Sequence, residues 1–416
     1  MEANVRIEDF SLLDPSVQSN PRPFYALLHA QCPVYRMPET GIYVVTRYDD
    51  VRAALRNTDD FSSDVDANSG VNGQRYAVHE QVLKERGWEH VQTLQRTDPP
   101  LHGRYRRLLD QVFNIKRVND LIPHIEEVSN SLIDAFIDKG ECEFVSAFAL
   151  PLPGIVIAEQ LGLNRDNIST FKKWADSILA PAMMPMSEAE LRAVAEIELE
   201  MQHFLADVFE DRKKQPKPDL ISALVHARCE GEEPLSMHEL QSLMHQLISG
   251  GYDTTISALS NGLWLLLRFP DQMAKLRARP ELIKGFIEEA LRYESPVQGL
   301  VRRTTREIEI GGTAIPKNAT VIVRYGAANH DPEKFECPHQ FDIERRNSAA
   351  HMAFGNGVHF CVGRLLAKQE LLTGFTTLFQ RLDDIELSRP LPDPPHLPSL
   401  LLHPMQELYI RFKKVD

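Results

Sequence analysis

The alternation of apolar and polar positions divides the chain into a helical middle and strand-like ends. Apolar residues at spacings of three and four run through LIPHIEEVSNSLIDAFIDKG, beginning at Leu121, which is typical of an amphipathic helix. Strand-like runs occur in PVYRM and IYVVTRY near the start, in EIEIGGTAIPKNATVIVRY after residue 306, and in ELYIRF near the end. Gly311-Gly312 suits a hairpin turn. The pattern predicts a mainly helical protein with a small sheet assembled from both ends of the chain.

The longest predicted helix runs from Ser236 to Phe269. Ser236 and Glu239 have the spacing of a capping box at its start. Its centre contains Gly250-Gly251, a pair that costs a helix about 2 kcal/mol relative to two alanines. The hydroxyl of Thr254 can bond back to the carbonyl four residues earlier, which would open the helix locally. The pattern is compatible with one helix that has an open centre or with two shorter helices joined at the glycines.

Composition and charge narrow the class of protein. The chain has 416 residues and a net charge of -13, which argues against a general nucleic-acid binder. Length alone suggests two or three domains, but no repeat or long linker separates any part of the chain. No run reaches eighteen apolar residues, and the N-terminus lacks the basic and apolar segments of a signal or anchor. We therefore expect a cytoplasmic protein that does not span a membrane.

Cysteine usage indicates a reduced protein. The five cysteines are odd in number and widely spaced, so no disulfide framework is expected. They are Cys32, Cys142, Cys229, Cys337 and Cys361.

The last cysteine lies in a distinctive stretch, HMAFGNGVHFCVGRLLAKQE, which contains the pattern F-x-x-G-x-x-x-C-x-G. A thiolate in an apolar setting needs nearby N–H donors. Gly355, Gly357 and Gly363 permit the positive φ angles that would turn N–H groups toward the sulfur of Cys361, and a following helix would add its positive end. Phe354 could shield the sulfur from water.

Two plainer interpretations of this stretch stand beside that one. Cysteine is more often an inert buried side chain than a ligand. A zinc site from His351, His359 and Cys361 is the other alternative, although H-x7-H-x-C lacks the paired spacing of structural zinc sites.

Four motifs, in order, resemble those of the cytochrome P-450 family, the haem-thiolate monooxygenases, and specifically its soluble bacterial members. The cysteine stretch is similar to the haem-ligand signature of the family, and GGYDTT to its oxygen-activation motif. EEALRYESPVQ contains the E-x-x-R pair, to which FDIER adds a third member, and DPPLHGRYRR contains the H-x-x-x-R pair. The resemblance extends over nearly the whole chain.

The resemblance implies a fold and a cofactor. The fold is mainly α with a small β region, in which a large helical part surrounds haem and a β-rich part comes from both chain ends. Residues 1–416 would form a single haem domain with no fused reductase. The cofactor would be haem b, iron protoporphyrin IX, with Cys361 as the axial ligand of the iron. The other residues that the resemblance places at the haem are His102, Arg106, Arg302, His359, Phe354, Gly355 and Gly363.

Further roles follow from the same resemblance. Thr254 would position a water on the oxygen-binding side of the haem, and Asp253 would bring protons in from solvent. Glu289, Arg292 and Arg345 would form a buried charge cluster with a structural role, although a Glu and an Arg three residues apart can also be a surface ion pair. The substrate pocket would be lined by Gly250, Leu247, Leu300, Val301 and Leu400.

The implied reaction inserts one oxygen atom of O2 into a C–H bond of a hydrophobic small molecule, such as a terpenoid, a steroid, a fatty acid or an aromatic compound. Electrons would come from NAD(P)H through an iron-sulfur ferredoxin and a ferredoxin reductase, and the protein would be a monomer. A peroxide-driven haem-thiolate peroxygenase and a non-catalytic haem-binding protein are the alternatives.

A basic cluster is the expected docking surface for the ferredoxin. It consists of Arg104, Arg107, Arg364 and Lys368, within a chain of net negative charge. A local positive patch would steer an acidic partner to one face. Ordinary solvated surface charges are the alternative explanation.

Overall fold

The computed structural model describes residues 7, 10–65, 73–183, 185–393 and 395–415. The α-helices are α1 (Pro15–Ser19), α2 (Arg22–Gln31), α3 (Tyr48–Arg56), α4 (Ala77–Arg86), α5 (Leu101–Val112), α6 (Ile115–Asp134), α7 (Pro151–Gln160), α8 (Ile168–Met183), α9 (Glu188–Lys214), α10 (Leu220–His226), α11 (Met237–Gly251), α12 (Asp253–Arg268), α13 (Pro270–Ala278), α14 (Ile283–Tyr293), α15 (Tyr325–Ala328) and α16 (Arg364–Arg381).

The strands are short. They are β1 (Val34–Arg36), β2 (Tyr43–Val45), β3 (Phe61–Ser62), β4 (Glu141–Glu143), β5 (Leu300–Thr304), β6 (Ile308–Ile310), β7 (Thr313–Ile315), β8 (Thr320–Val323), β9 (Leu382–Leu387) and β10 (Tyr409–Lys414).

The contacts within the chain divide it into two compact units. The larger unit comprises Met1–Ser62, Ile125–Leu152 and Thr254–Asp416. The smaller unit comprises Ser63–His124 and Pro153–Asp253. A single haem domain over residues 1–416 stays a prediction.

The sheet of the larger unit joins distant parts of the sequence. Its strand order is β1-β2-β8-β5-β3, with β2 and β8 parallel and the other pairs antiparallel. Since β1 to β3 precede residue 63 and β5 and β8 follow residue 299, the predicted assembly from both ends of the chain is confirmed. A second sheet has the order β4-β10-β9, and β6 pairs with β7 through the predicted Gly311-Gly312 turn, where φ is +57° and +74°.

Helix α3 packs against the five-stranded sheet through fully buried side chains. Val51 of α3 shares one apolar cluster with Val45 of β2 and Val323 of β8, and none of the three has exposed surface. Each such side chain contributes about 1.5–3 kcal/mol by leaving water. The packing also brings the end of α3, at Leu55 and Arg56, next to the loop that precedes Cys361.

The central helical stretch is two helices, α11 and α12, of 15 and 16 residues. The predicted capping box at Ser236 and Glu239 is present at the start of α11. The interruption falls at Tyr252, whose buried ring packs edge-on against Phe171. A Cβ at position 251 would lie 3.2 Å from Ile157 Cδ1, so the glycine there lets α11 approach α7 closely. The longest helix among the described residues is therefore α9 rather than the central stretch, and of the two alternatives for that stretch the structure shows the two shorter helices.

Two further observations concern the whole set of described residues. Across them, no helix combines the length and the apolar character that crossing a membrane requires. The five cysteines all fall within the described ranges, and none of them is in a disulfide.

Candidate functional site around Cys361

Cys361 lies in a tight loop between the 3-10 turn Gly357–His359 and α16. Its backbone N–H donates a hydrogen bond to the carbonyl of Phe354 at 3.0 Å, which closes the loop on itself. Gly355 and Gly357 have φ angles of +72° and +71°, a conformation that side chains other than glycine rarely adopt. Helix α16 begins three residues after the cysteine, so its partial positive charge lies at the end of this loop.

Gly363 corrects one expectation. Its φ is -81° and its ψ is 0°, so it caps α16 in the right-handed region and the predicted positive φ is wrong. The reason is that the helix is entered directly, without a left-handed residue before it. A Cβ at this position would lie 4.0 Å from the sulfur of Cys361, which places the start of the helix close to the thiol.

The glycine at position 357 is required by a neighbour as well as by its dihedral angle. A Cβ there would collide with the carbonyl oxygen of Leu55 at the end of α3. Backbone meets backbone at this point, so no side-chain rearrangement could make room. The cysteine loop is thereby held against the sheet and helix framework of the larger unit.

The zinc alternative does not fit the geometry. His351 places Nε2 3.1 Å from a carboxylate oxygen of Glu288, and its Nδ1 accepts a hydrogen bond from the backbone N–H of Ala353. Both ring nitrogens therefore have partners. In the part of the chain that the structure describes, the groups of side chains spaced to hold a metal ion do not include Cys361.

Phe354 and Lys368 flank the same loop. The Phe354 ring is partly buried, lies 5.8 Å from the ring of His351, and has the ammonium of Lys368 5.4 Å from its centroid. A cation near an aromatic face is attracted by the ring quadrupole. These contacts fix the ring at the entrance of the loop.

Arg302 and Tyr325 converge on this region, and Tyr325 was missed at the sequence level. The Arg302 guanidinium is buried and hydrogen-bonded to the Tyr325 side chain. Burial raises the pKa of the Tyr325 hydroxyl, while the charge of Arg302 opposes that rise. The hydroxyl lies 3.5 Å from the position that a Cβ of Gly355 would take. Tyr325 is the first residue of the short helix α15 and lies outside the motifs described above, so no sequence signal distinguished it.

The other expected haem contacts lie in both units. His359 is partly buried in the 3-10 turn of the larger unit. His102 is buried on α5 of the smaller unit, and burial, with the nearby charge of Arg106, lowers the pKa of its imidazole. Arg106, one turn further along α5, has its Nε 2.9 Å from Asp110 Oδ1.

Asp253 and Thr254 are the first two residues of α12, directly after the interruption. Burial, together with the charge of Asp176, raises the pKa of the Asp253 carboxyl to about 6, and Lys172 opposes the rise. A carboxyl with this pKa exchanges protons readily near neutral pH. A Cβ on Gly250 would meet no atom within 4 Å, so the backbone is open at that position.

The residues expected to line the substrate pocket make packing contacts that are enough to explain why they are apolar. Leu300 packs partly against the apolar cluster that contains Val45, and Leu400 against a second cluster that contains Phe24. Val301 pairs with Ile322 in the sheet. Leu247 is partly buried on α11 of the smaller unit.

Glu289, Arg292 and Arg345 form a connected cluster in the larger unit. Arg292 donates two hydrogen bonds to the Glu289 carboxylate, and Arg345 Nε donates a third at 3.1 Å. Arg292 also donates to the backbone carbonyls of Asn329 and Pro338, both at 2.9 Å. The guanidinium thus ties α14 to the segment that leads to the cysteine loop.

Three of the four basic side chains expected to attract a ferredoxin are ion-paired. Arg104 pairs with Glu239 and Glu232, and Arg107 with Glu232, all in the smaller unit. In the larger unit, Lys368 Nζ lies 2.6 Å from a carboxylate oxygen of Glu288. The guanidinium of Arg364 lies 4.8 Å from the centroid of the Phe360 ring. Because carboxylates pair with three of its four cations, the basic cluster has a weaker positive electrostatic potential than four unpaired cations would have.

The side chains around Cys361 fit a haem. A haem offers an iron for one sulfur ligand, an apolar ring and two carboxylates. The loop provides a single thiol beside a helix N-terminus, and the buried guanidinium and phenol of Arg302 and Tyr325 are donors suited to carboxylates. Arg302 and Tyr325 were brought together with the thiol by the fold, not by proximity in the sequence.

Comparisons with known proteins agree with one another. Residues 26–411 match the family described as Cytochrome P450. The 6-deoxyerythronolide B hydroxylase of Saccharopolyspora erythraea is 36% identical over 395 residues, which cover 93% of this chain and 95% of the relative. The steroid C26-monooxygenase of Mycolicibacterium smegmatis is 32% identical over 373 residues, which cover 90% and 88%. The solved P450 heme domain of Tepidiphilus thermophilus superposes with a TM-score of 0.88 at 29% identity, covering 97% and 96%.

Proposed function

The chain belongs to the cytochrome P450 family, and we propose that it is a haem-thiolate monooxygenase acting on a hydrophobic small molecule. The reaction inserts one oxygen atom of O2 into a C–H bond and releases the other as water, consuming two electrons and two protons. Bound haem supplies the oxygen activation, with a thiolate ligand that favours O–O cleavage.

Cys361 is the proposed ligand to the iron. Its position before the N-terminus of α16 favours the charged thiolate over the thiol. The two left-handed glycines of the loop let its backbone turn tightly around the sulfur. Phe354, with the Lys368 ammonium near its ring, limits the access of water from one side.

Arg302, supported by Tyr325, is the proposed partner of a haem carboxylate. An arginine can bind a carboxylate through two parallel hydrogen bonds, and burial strengthens such a contact. His102, Arg106 and His359 are proposed for the same kind of contact on the resemblance to the family. The Arg106 guanidinium would share its donors with Asp110.

Asp253 and Thr254 are the proposed proton relay. Asp253, with its pKa raised to about 6, can take a proton from solvent and release it inward. The Thr254 hydroxyl, on the next residue, can hold a water in place as the receiving group. Because α11 ends before Tyr252, α12 begins at Asp253 and Thr254. The first turn of α12 therefore determines the positions of their side chains.

The electron donors are proposed to be external. We propose an iron-sulfur ferredoxin, reduced by NAD(P)H through a ferredoxin reductase. Among the basic residues expected to meet it, Arg107 has 59% and Lys368 36% of its side chain exposed. Both keep exposed surface through which an acidic partner could gain favourable contacts.

For the substrate we propose a largely apolar molecule of the steroid, terpenoid, fatty acid or aromatic class. One relative described above is named for its action on a steroid, and Leu300 and Val301 present apolar side chains on the first strand after α14. A set of such compounds should be screened against the purified protein for the low-spin to high-spin shift of the haem absorption band. The compound that shifts the band most at low concentration identifies the class.

The observation that carries the proposed function is the closed loop that holds Cys361 at the start of α16. In the reduced protein, carbon monoxide should produce the red-shifted absorption band of a thiolate-ligated haem, and Cys361→His should abolish that band. Cys337→Ser, at an exposed cysteine of the same unit, is the matched control and should keep it. Survival of the band in the Cys361 variant would remove this residue as the ligand.

A further inference from the structure

Four ionisable side chains that have no part in the proposed reaction meet in the smaller unit. His79 belongs to α4, His90 follows that helix, Glu198 belongs to α9 and His245 to α11. We refer to these four residues as the histidine cluster. His79 and Glu198 are each 1% exposed, whereas His90 and His245 keep 18% and 22% of their side chains exposed.

Glu198 is the centre of the cluster. Its Oε1 lies 2.7 Å from His90 Nε2 and 2.8 Å from His245 Nδ1. Its Oε2 lies 3.1 Å from His79 Nε2. One carboxylate thus has an imidazole nitrogen from three separate segments within about one hydrogen-bond length. The nitrogens of His90 and His245 and the Glu198 oxygen all lie within 4.8 Å of one another.

The buried imidazole of His79 lacks hydrogen bonds. Its Nδ1 has no hydrogen-bond partner among the described residues, and its Nε2 has only the 3.1 Å contact with Glu198 Oε2, which falls short of a well-formed hydrogen bond. An imidazole buried without hydrogen bonds is costly in a protein that has no ligand for it. Its ring is nevertheless held in place by stacking on Tyr76, with the centroids 4.8 Å apart.

His90 has the arrangement expected of a metal ligand. Its Nδ1 lies 3.0 Å from Glu80 Oε1, while its Nε2 points at the cluster. Metal-bound histidines commonly donate their second N–H to a carboxylate, which fixes the tautomer and the ring orientation. Glu80 therefore holds the His90 ring so that Nε2 faces Glu198.

A second group of similar composition shows what the histidine cluster lacks. Glu294, His396 and His403 are also spaced to hold an ion. There, however, the Arg22 guanidinium lies 3.2 Å from the Glu294 carboxylate, and His396 Nε2 lies 3.0 Å from Asn261 Oδ1. A protein cation already compensates that carboxylate. Around Glu198, the partners that the structure gives are imidazoles only, which can compensate the carboxylate as cations or, once deprotonated, bind a metal ion through the same nitrogens.

We propose that the histidine cluster is a binding site for a divalent transition-metal ion, with zinc as its occupant. Three imidazoles and one carboxylate match the ligand preference and coordination number of zinc. With metal–ligand bonds of about 2.0–2.2 Å, tetrahedral ligand atoms stand roughly 3.3 Å apart. The contacts of His90 and His245 with Glu198, at 2.7 and 2.8 Å, would therefore have to open by less than about 1 Å. His79, which contacts the other carboxylate oxygen and lies outside the group within 4.8 Å, would have to move inward to become the fourth ligand.

The ion would fasten the segment containing α4 to two other helices. Val82 and Leu83 of α4 already pack on Ala195 and Leu199 of α9 in one apolar cluster. A bond from His245 would add α11 to this assembly. Zinc would therefore stabilise the smaller unit without entering the oxidation chemistry.

The test is zinc stoichiometry in the haem-loaded protein. The protein is stripped with a chelator, equilibrated with zinc chloride, desalted, and analysed for zinc and iron by mass spectrometry. We expect about one zinc per haem iron in the parent, and a zinc affinity about 100-fold lower in Glu198→Gln and His245→Asn. His245 is 22% exposed, so its substitution is the one better tolerated by the fold.

His403→Asn, in the second group, is the matched control and should bind zinc like the parent. The haem absorption of every variant reports that it has folded. The melting temperature gives an independent readout: zinc should raise it in the parent and in His403→Asn, but not in His245→Asn. A parent that retains no zinc would overturn the proposal, and so would a His245→Asn protein that retains as much zinc as the parent.

Discussion

Arg292 donates two hydrogen bonds to Glu289, at 2.7 and 2.8 Å, and neither side chain has any exposed surface. Removing one member of such a pair leaves the other charge buried without compensation, which typically costs 3–5 kcal/mol. Arg292→Lys keeps the charge but loses the fork and the bonds to two backbone carbonyls, so we predict that it lowers the free energy of unfolding by somewhat less, about 2–3 kcal/mol. Urea unfolding measures this.

The matched control for this prediction is Arg411→Lys. Arg411 pairs with Glu386 at 2.7 Å, but both side chains are 58% exposed. The urea midpoint of this variant should equal that of the parent. Equal midpoints for the two variants would show that the buried cluster contributes no more than a surface pair.

A buried carboxyl on α16 makes stability depend on pH. Glu370 is 2% exposed, and burial raises the pKa of its carboxyl to about 8. Because the pKa is raised on folding, the associated stability is complete below the unfolded pKa and is lost as the pH rises through about 8. We predict that Glu370→Gln matches the parent at pH 5 and is more stable at pH 9 by a few kcal/mol. Urea unfolding at both pH values measures the difference, and parallel pH dependences for the variant and the parent would contradict it.

The proposed proton relay predicts how tightly NAD(P)H consumption is coupled to product formation. Thr254→Ala should bind haem and substrate like the parent but divert most reducing equivalents into hydrogen peroxide, because the hydroxyl that holds the relay water is lost. We expect the ratio of product to NAD(P)H consumed to fall roughly 10-fold. Thr254→Ser keeps a hydroxyl and should retain most of the coupling. An unchanged ratio in Thr254→Ala would exclude this residue from proton delivery.

Asp253 should make the turnover rate fall on the alkaline side of its pKa, which we call the pH limb. With a pKa of about 6, its protonated fraction falls as the pH rises above that value, so product formation limited by proton delivery should decline in the same range. Asp176→Asn removes the neighbouring negative charge that helps to raise this pKa and should move the limb to lower pH. Asp253→Asn should lose the limb and roughly 100-fold in rate. The same limb in the Asp253 variant would assign it to another group.

The reduction of the haem by ferredoxin tests the basic cluster. Arg107→Gln with Lys368→Gln should slow reduction at low salt and make it less dependent on salt, because two partly exposed cations are removed. Peroxide-supported turnover should be unchanged. Arg411→Gln with Lys413→Gln removes the same charge from exposed positions of β10 and serves as the control. Equal reduction rates for the two double variants would place the docking surface elsewhere.

The sequence alone determined the features that depend on near neighbours along the chain. The glycines around Cys361, the capping box of α11 and the turn between β6 and β7 follow from dihedral preferences and local hydrogen bonding, which act over a few residues. The spacing between Cys361 and the glycines of its loop is also local. The motifs could therefore indicate the family without knowledge of the fold.

The tertiary structure decided what depends on residues far apart. Tyr325 joins Arg302 beside the cysteine loop, and carboxylates from other helices neutralise Arg104 and Lys368. The histidine cluster draws on three helices and a loop, so its members had no common pattern in the sequence. Each of these arrangements depends on which helix faces pack together, and that is set by burial of apolar surface over the whole unit.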